Sequence, residues 1–347
     1  MSRETPLPKT AILKDIAERA GVDASTVSRV LRGDMRKPAK PETRDRILAV
    51  ARDLEYRPNS IARSLRTRRR EAIGLVIPDA ANPGFARIFK GVQAATAEAG
   101  WHVIVVEGGS SAPSGPGWDR LIHEGRVDGV LVLVASIRDT LVRNIARSGF
   151  PIVLVNRRST GVPGSVVVDD AWGAEVAVEH LASLGHRKIA HIAGPSTLDT
   201  GRRRLAGYNA ALKKRKFVQS PKWVAETDYS EAGGAAAART LLKQSARDRP
   251  TAVYVASFMS GVGAMQVFKD AGLRIPEDIS VVVSDELPLA AHTDPPLTSI
   301  NMALTRMGEV ATHMLLGAVA GEPVTDIILP DAPQLIVRGS TAPPPYA

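Results

Sequence analysis

The side chains best placed to do chemistry lie close together near the start of the chain. Ala24, Ser25, Ser28 and Arg29 share one side of a helical stretch within L-K-D-I-A-E-R-A-G-V-D-A-S-T-V-S-R-V-L, Leu13 to Leu31. That side is small or polar, with two hydroxyls and one long cation. A compact helix pair with such an outward face is what a DNA major groove can admit. A second set of candidates is spread through the rest of the chain: acids, amides, an arginine and a phenylalanine in the loops that follow short apolar runs. These are Asp79, Asn82 and Phe85, then Asn156 and Arg157, Asp169 and Asp170, and Asp285 and Glu286.

The elements that must position the first set are legible. Leu13, Ile16, Ala17 and Ala20 recur at helical spacing and make one face apolar. Gly21 ends that helix, because glycine takes a left-handed cap at little cost. Val22 fills the angle of the turn. Asp23 is placed as an N-cap whose carboxylate accepts free amide protons of a second helix, and Val27, Val30 and Leu31 are its buried side. Gly33 to Lys40 is a basic loop. Pro41-Glu42-Thr43 opens a third helix, which Ile47, Val50, Ala51 and Leu54 close onto the first two. Tyr56-Arg57-Pro58-Asn59 breaks it. S-I-A-R-S-L-R and T-R-R-R follow, too short and too basic for a stable isolated helix. If this segment folds on DNA, Ile61, Ala62 and Leu65 need an apolar destination, and a leucine wedged into a minor-groove step supplies one.

Charge separates this head from the body. Residues 1–70 hold 18 Lys+Arg and 9 Asp+Glu of the 45 and 36 in the chain, so residues 71–347 balance at 27 of each. A basic head on a neutral body points to a polyanion partner for the head alone. No apolar run reaches the roughly 20 residues that cross a bilayer. The opening Met-Ser-Arg-Glu-Thr-Pro has no signal-peptide core, and cysteine is absent. Together these point to a cytoplasmic protein with no membrane partner and no disulfide or thiolate chemistry.

From Ala72 short apolar runs alternate with helical stretches. Strands are predicted at Ala72–Ile77, His102–Val106, Gly129–Val134, Ile152–Val155, Ser165–Val168, Ile189–Ile192, Ala252–Val255 and Ile279–Val283. Helices are predicted at Gly84–Ala99, Thr140–Ser148, Ala171–Leu184, Arg203–Lys214, Glu231–Gln244, Gly261–Ala271 and Leu304–Ala320. Such alternation makes parallel sheets covered on both faces, and the number of strands requires two subdomains. Ligands bind such sheets outside the carboxyl ends of the strands, which is where the second candidate set lies. Residues 107–117 are expected as a flexible loop, and the tail A-P-P-P-Y-A as disordered.

The order of these pieces resembles the LacI/GalR family of bacterial transcriptional regulators, from about Ile12 to Gly339. The head stretch and Y-R-P-N-S-I-A-R-S-L-R carry the likeness. So do I-G-L-V-I-P-D-A-A-N-P-G-F, V-D-G-V-L-V, V-E-H-L-A-S-L-G-H-R-K-I-A-H-I-A-G-P, G-R-R-R-L-A-G-Y and P-E-D-I-S-V-V-V-S-D-E with P-P-L-T-S-I. The resemblance implies an N-terminal all-α helix-turn-helix domain and an α/β effector domain of two parallel-sheet subdomains, like periplasmic binding proteins. It divides the chain into an arm (1–11), a DNA-binding domain (12–56), a hinge (57–70), an effector and dimerisation domain (71–340) and a tail (341–347). Within the effector domain it implies one subdomain of about 71–168 and 301–328, and another of about 169–300 and 329–340.

The resemblance also implies a homodimer or tetramer on a pseudo-palindromic DNA operator, no cofactor, and a small-molecule effector of sugar, sugar-acid or sugar-phosphate class. By position, Ala24, Ser25 and Arg29 would face base edges, Arg29 with the fork that matches guanine. Thr26, Ser28 and Asn59 would hold phosphates, and Leu65 would be the wedge with Ala62 beside it. Asp79, Phe85, Asn156, Arg202 and Asp285 fall on effector positions. Ser257-Phe258 stands where the family often has Asn-Asp, trading two polar contacts for an aromatic face. Met302 replaces a glutamine of some members, and Ile12 a hydroxyl cap. An enzyme is the rival class, but the chain has no nucleophile elbow, G-x-x-x-x-G-K, G-x-G-x-x-G or H-E-x-x-H. His180, His186 and His191 are too irregularly spaced to share a helix face for a metal.

Overall fold

The computed structural model describes residues 11–31, 38–56, 69–108, 117–245, 247–330 and 333–345. Residues 1–10 of the expected arm (1–11), most of the basic loop, residues 57–68 of the expected hinge (57–70) with Asn59, Ala62 and Leu65, and most of the 107–117 loop lie outside them. The chain forms two compact units, residues 1–70 and 71–347.

In the first unit α1 (Leu13–Ala20), α2 (Ala24–Leu31) and α3 (Pro41–Asp53) follow the expected pattern. Gly21 ends α1 at φ 62°, a left-handed cap. Ile16, Ala17, Ala20, Val27, Ile47 and Ala51 make the core, with Leu13, Val22, Val30 and Leu31 packed against it. Every position that the helical spacing assigns inward is on this list or beside it.

The second unit is built on two six-stranded sheets. The first takes β1 (Ala72–Ile77), β2 (His102–Glu107), β3 (Gly129–Val132), β4 (Ile152–Val155), β5 (Ser165–Val167) and β11 (Ile327–Ile328), in the parallel order β11-β5-β4-β3-β1-β2. The second takes β6 (Ile189–Ala193), β7 (Val224–Glu226), β8 (Ala252–Val255), β9 (Ser280–Ser284), β10 (Thr298–Asn301) and β12 (Gln334–Ile336), in the order β12-β10-β9-β8-β6-β7. Only β12 runs antiparallel to its neighbour among these strands. The chain therefore passes between the sheets three times: after β5, after β10 and after β11.

Helices cover both faces of each sheet, which is why the strands read as unbroken apolar runs. On the first sheet α4 (Pro83–Glu98) and α11 (Leu304–Val319) bury Ile88, Val92, Met307 and Leu315 on one side. The short α5 (Arg120–His123) and α6 (Thr140–Arg147) bury Leu121, Val142 and Ile145 on the other. The second sheet lies between α7 (Asp170–Ser183) with α8 (Asp199–Lys214), and α9 (Glu231–Leu242) with α10 (Phe258–Asp270). The α4–α11 crossing needs bare backbone. A Cβ on Gly91 would sit 1.9 Å from the Thr305 carbonyl, and one on Gly308 2.1 Å from that of Ile88.

The expectation of a disordered tail is corrected at Ala342, the first residue of A-P-P-P-Y-A, which is held in place together with Thr341 before it. His180 Nε2 hydrogen-bonds Thr341 Oγ1 at 3.0 Å, and the Ala342 carbonyl lies 2.8 Å from His186 Nε2. Ala342 N donates to Ser280 Oγ at 3.0 Å. The proline-rich composition that suggested disorder leaves these two residues free to bond. Burial holds both histidines below the usual imidazole range.

Candidate functional site

Asp23 organises the outward face of α2. Its Oδ1 accepts from Thr26 N and its Oδ2 from Thr26 Oγ1, both at 2.8 Å, and Ser25 Oγ donates to it at 2.5 Å. The Ser25 hydroxyl, followed by these Thr26 donors, holds the Asp23 carboxyl far below the usual carboxylate range. Ala24 and Ser25 are exposed, while Thr26, Ser28 and Arg29 are half-buried. Arg29 Nη2 donates to Thr26 Oγ1 at 2.9 Å, so its guanidinium lies along its own helix. At the other end of the motif Asp15 Oδ2 accepts from Ile12 N at 2.8 Å, the reciprocal half of a capping box, while the isoleucine side chain offers the first-turn amides no acceptor.

The body gathers charge where the strands of both sheets end. Arg204, 2% exposed, donates from Nε to Asp170 Oδ1 at 2.7 Å and from Nη2 to Asp285 Oδ1 at 3.3 Å. Its Nη1 donates to the Ala256 carbonyl. Burial works against this cation, but Asp285 and Asp170 more than offset it and keep it firmly protonated. Arg203, one residue earlier, pairs with Asp170 Oδ2 at 2.5 Å and with Asp199 Oδ2 at 2.9 Å. It also donates to the carbonyls of Val168 at 2.6 Å and Asn156 at 3.2 Å. Those carbonyls belong to the ends of β5 and β4 in the first sheet, and Arg203 to a helix of the second. The arginine therefore ties the two lobes at one crossing. Burial raises the Asp285 carboxyl above its usual range, and Arg204 pulls it back.

The sequence-predicted residues divide in this frame. Asn156 (φ 67°) and Asp285 (φ 69°) both end strands in left-handed backbone, and Arg203 and Arg204 join them through Asp170. Arg202 is exposed, with Nε on the Ser196 carbonyl at 2.8 Å. It faces an open groove of about 580 Å3, shared with Ile137, Arg158, Ser159, Asp199 and Asp326, rather than the Asp285 cluster. Asp79 is exposed and accepts from Ala81 N at 2.8 Å, and Phe85 packs half-buried on the main core. Both follow β1 at the end where Asn156 follows β4. Ser257 is the N-cap of α10, accepting from Ser260 N at 3.2 Å. Phe258 does not offer the expected open aromatic face: it is 4% exposed, because its ring joins the core behind the second sheet.

Arg203, Arg204 and Tyr229 were not singled out in the sequence. Successive helical residues turn by about 100°, so G-R-R-R-L carries three arginines facing three ways, and nothing in composition ranks them. Tyr229, at φ 71°, bonds Thr200 Oγ1 at 2.9 Å, and burial raises its phenol. The histidines have separate duties. His191 stacks on Tyr254 and Tyr208, with ring centroids 4.7 and 5.0 Å away.

The model of bacterial regulatory proteins of the lacI family matches residues 12–59, and that of the periplasmic binding protein-like domain matches residues 178–341. The regulator CelR of Thermobifida fusca is 34% identical over 340 residues, covering 94% of this chain and 97% of its own. The chain belongs to the LacI family. The ribose operon repressor of Haemophilus influenzae is 33% identical over 308 residues, 88% of this chain and 91% of that one. The solved lac repressor dimer bound to operator and the anti-inducer ONPF is 28% identical at a TM-score of 0.84, covering 96% of this chain and 100% of that one. A LacI-family chain is a transcriptional regulator, and here the helix pair of the head is its DNA-binding part and the two-lobed body its effector-binding part. No helix among the described residues is long and apolar enough to cross a membrane.

Proposed function

We propose that this chain is a cytoplasmic homodimeric repressor without catalytic activity. Its grip on a pseudo-palindromic operator is set by a sugar, sugar acid or sugar phosphate held between the two lobes. One arrangement carries the reading: Arg203 of the second lobe is bonded to the Asn156 and Val168 carbonyls of the first. A ligand that bonds residues of both lobes beside it binds one arrangement of the lobes better than another, and that difference in affinity is what effector control requires. Asp79, Phe85, Asn156, Ser257 and Asp285 are the proposed contacts, with Arg202 reached by the part of the ligand that extends into the adjoining groove it lines with Asp199; Phe258 supports the site from the core. On the DNA side, Ala24, Ser25 and Arg29 read bases, and Thr26, Ser28 and Asn59 set register on phosphates. Arg29 needs only to leave Thr26 to reach a guanine edge.

Operator selection from sheared genomic DNA tests this reading. The protein is expected to retain a few duplexes over scrambled competitor, and affinity should fall about a thousandfold or more from 50 to 200 mM salt through counterion release. Equal retention of scrambled DNA, or a flat salt response, would remove the DNA assignment. Leu65→Ala should weaken specific binding more than non-specific binding, because only a bent operator offers the wedge its step. Equal losses on both would leave Leu65 without that role.

A further inference from the structure

Arg157 has no role in the contacts described so far. It follows Asn156 at the end of β4, is 6% exposed, and its buried Nε has no hydrogen-bond partner. Among the described residues its guanidinium makes no hydrogen bond or ion pair. The nearby acids are already engaged: Asp170 with Arg203 and Arg204, Asp199 with Arg203, and Asp285 with Arg204 through Oδ1. Burial lowers the basicity of Arg157. Tyr229 and Asp199 favour its charge, and Arg204 opposes it. Beside it the Asn156 Oδ1 is buried without a donor. The next residue, Arg158, also has a buried Nε without a partner and lines the open groove with Asp199.

A buried cation lacking a counter-charge and a buried carbonyl lacking a donor are both unfavourable, and neighbouring positions rarely combine them without a reason. A neutral sugar would satisfy the hydrogen bonds but leave the charge uncompensated. An acid group against Arg157 would compensate the charge, and a hydroxyl on the same molecule would satisfy Asn156. We propose that the effector is a hydroxylated anion whose acid group pairs with Arg157 while one of its hydroxyls donates to Asn156 Oδ1. The inference rests on the cleft being the effector site, as proposed above. A carboxylate and a phosphate ester share the required chemistry.

The test uses the full-length protein with gluconate and galacturonate as carboxylates, glucose 6-phosphate as the phosphate, and glucose and galactose as neutral partners. Calorimetry and thermal shift read binding. At least one acid is expected to bind and raise the melting temperature, and its neutral counterpart is not; which acid binds separates carboxylate from phosphate. Arg157→Met should weaken that acid by about 30-fold or more, the loss typical of truncating one side of a buried charge pair. Arg157→Lys should recover part of it. Without ligand, Arg157→Met should melt no lower than the parent, since it removes an uncompensated charge. Three results would each overturn the proposal: no shift from any acid, a neutral sugar binding parent and Arg157→Met alike, or a ligand-free Arg157→Met that melts well below the parent. An acid that binds through Arg157 but leaves operator affinity unchanged would keep the anion site and sink effector control. A neutral ligand that releases the operator would do the reverse.

Discussion

Ile47→Asp is expected to abolish operator binding while leaving the effector domain folded. Ile47 is fully buried in α3 within the small core shared by all three head helices. A domain of this size has a stability of roughly 2–7 kcal/mol. Truncating a buried isoleucine costs about 2–5 kcal/mol, and placing a carboxylate in its cavity adds a desolvation penalty of about the same size or more. The sum exceeds what the head has, so α2 loses the scaffold that presents Ala24, Ser25 and Arg29. Operator affinity should drop by more than about 100-fold, because only the folded fraction can bind. The melting transition of residues 71–347, with its own cores, should not move. Circular dichroism melting alongside fluorescence anisotropy on a selected operator reads both parts. Operator binding within a fewfold of the parent would show that the head does not depend on this core.

The same head shows why some of the molecule is legible in sequence. Gly21, Asp23, Pro41 and the apolar positions act locally, through backbone conformation, a cap and helical spacing, so each can be read without knowing the fold. The longer strands are legible too, because burial on both faces makes A-I-G-L-V-I or I-V-L-V uniformly apolar. The four strands missed were Val224–Glu226, Thr298–Asn301, Ile327–Ile328 and Gln334–Ile336. They are two to four residues long, and T-S-I-N and Q-L-I carry little apolar signal. What makes them strands is a partner brought from elsewhere: Asn301 faces Gln334, and Ile327 faces Val166. The cleft divides in the same way. That Asn156 and Asp285 end parallel strands follows from alternation alone. That Arg203 and Arg204, rather than Arg202, meet Asp170 depends on the rotational phase of α8 against two lobes, which no local pattern encodes. Phe258 shows the opposite failure: a loop position in the sequence pattern became the first turn of α10, and the ring turned into the core.

Arg204→Met should be the most damaging change in the body. Arg204 is 2% exposed, and its guanidinium bonds both Asp170, fully buried, and Asp285. Methionine keeps much of the volume, so the cost is electrostatic: two carboxylates lose their shared cation, and Arg203 is left to balance Asp170 alone. Removing one member of a buried pair typically costs about 3–5 kcal/mol. The deficit should depend on pH with a definite sign. Burial already raises the folded-state pKa of Asp285, and Arg204 is what restrains it. In the variant the folded protein therefore binds this proton more tightly than the unfolded chain does, whose Asp titrates near ~4. Stability of the variant must then rise, relative to the parent, as pH falls from neutral toward ~4, because the neutral acid no longer needs the missing cation. Urea denaturation of parent and variant at a series of pH values checks this. A deficit of about 3 kcal/mol or more at pH ~7, shrinking in acid, is the expected pattern. A deficit that does not change with pH would mean that Arg204 holds the lobe by packing and through the Ala256 carbonyl, not by compensating the two acids.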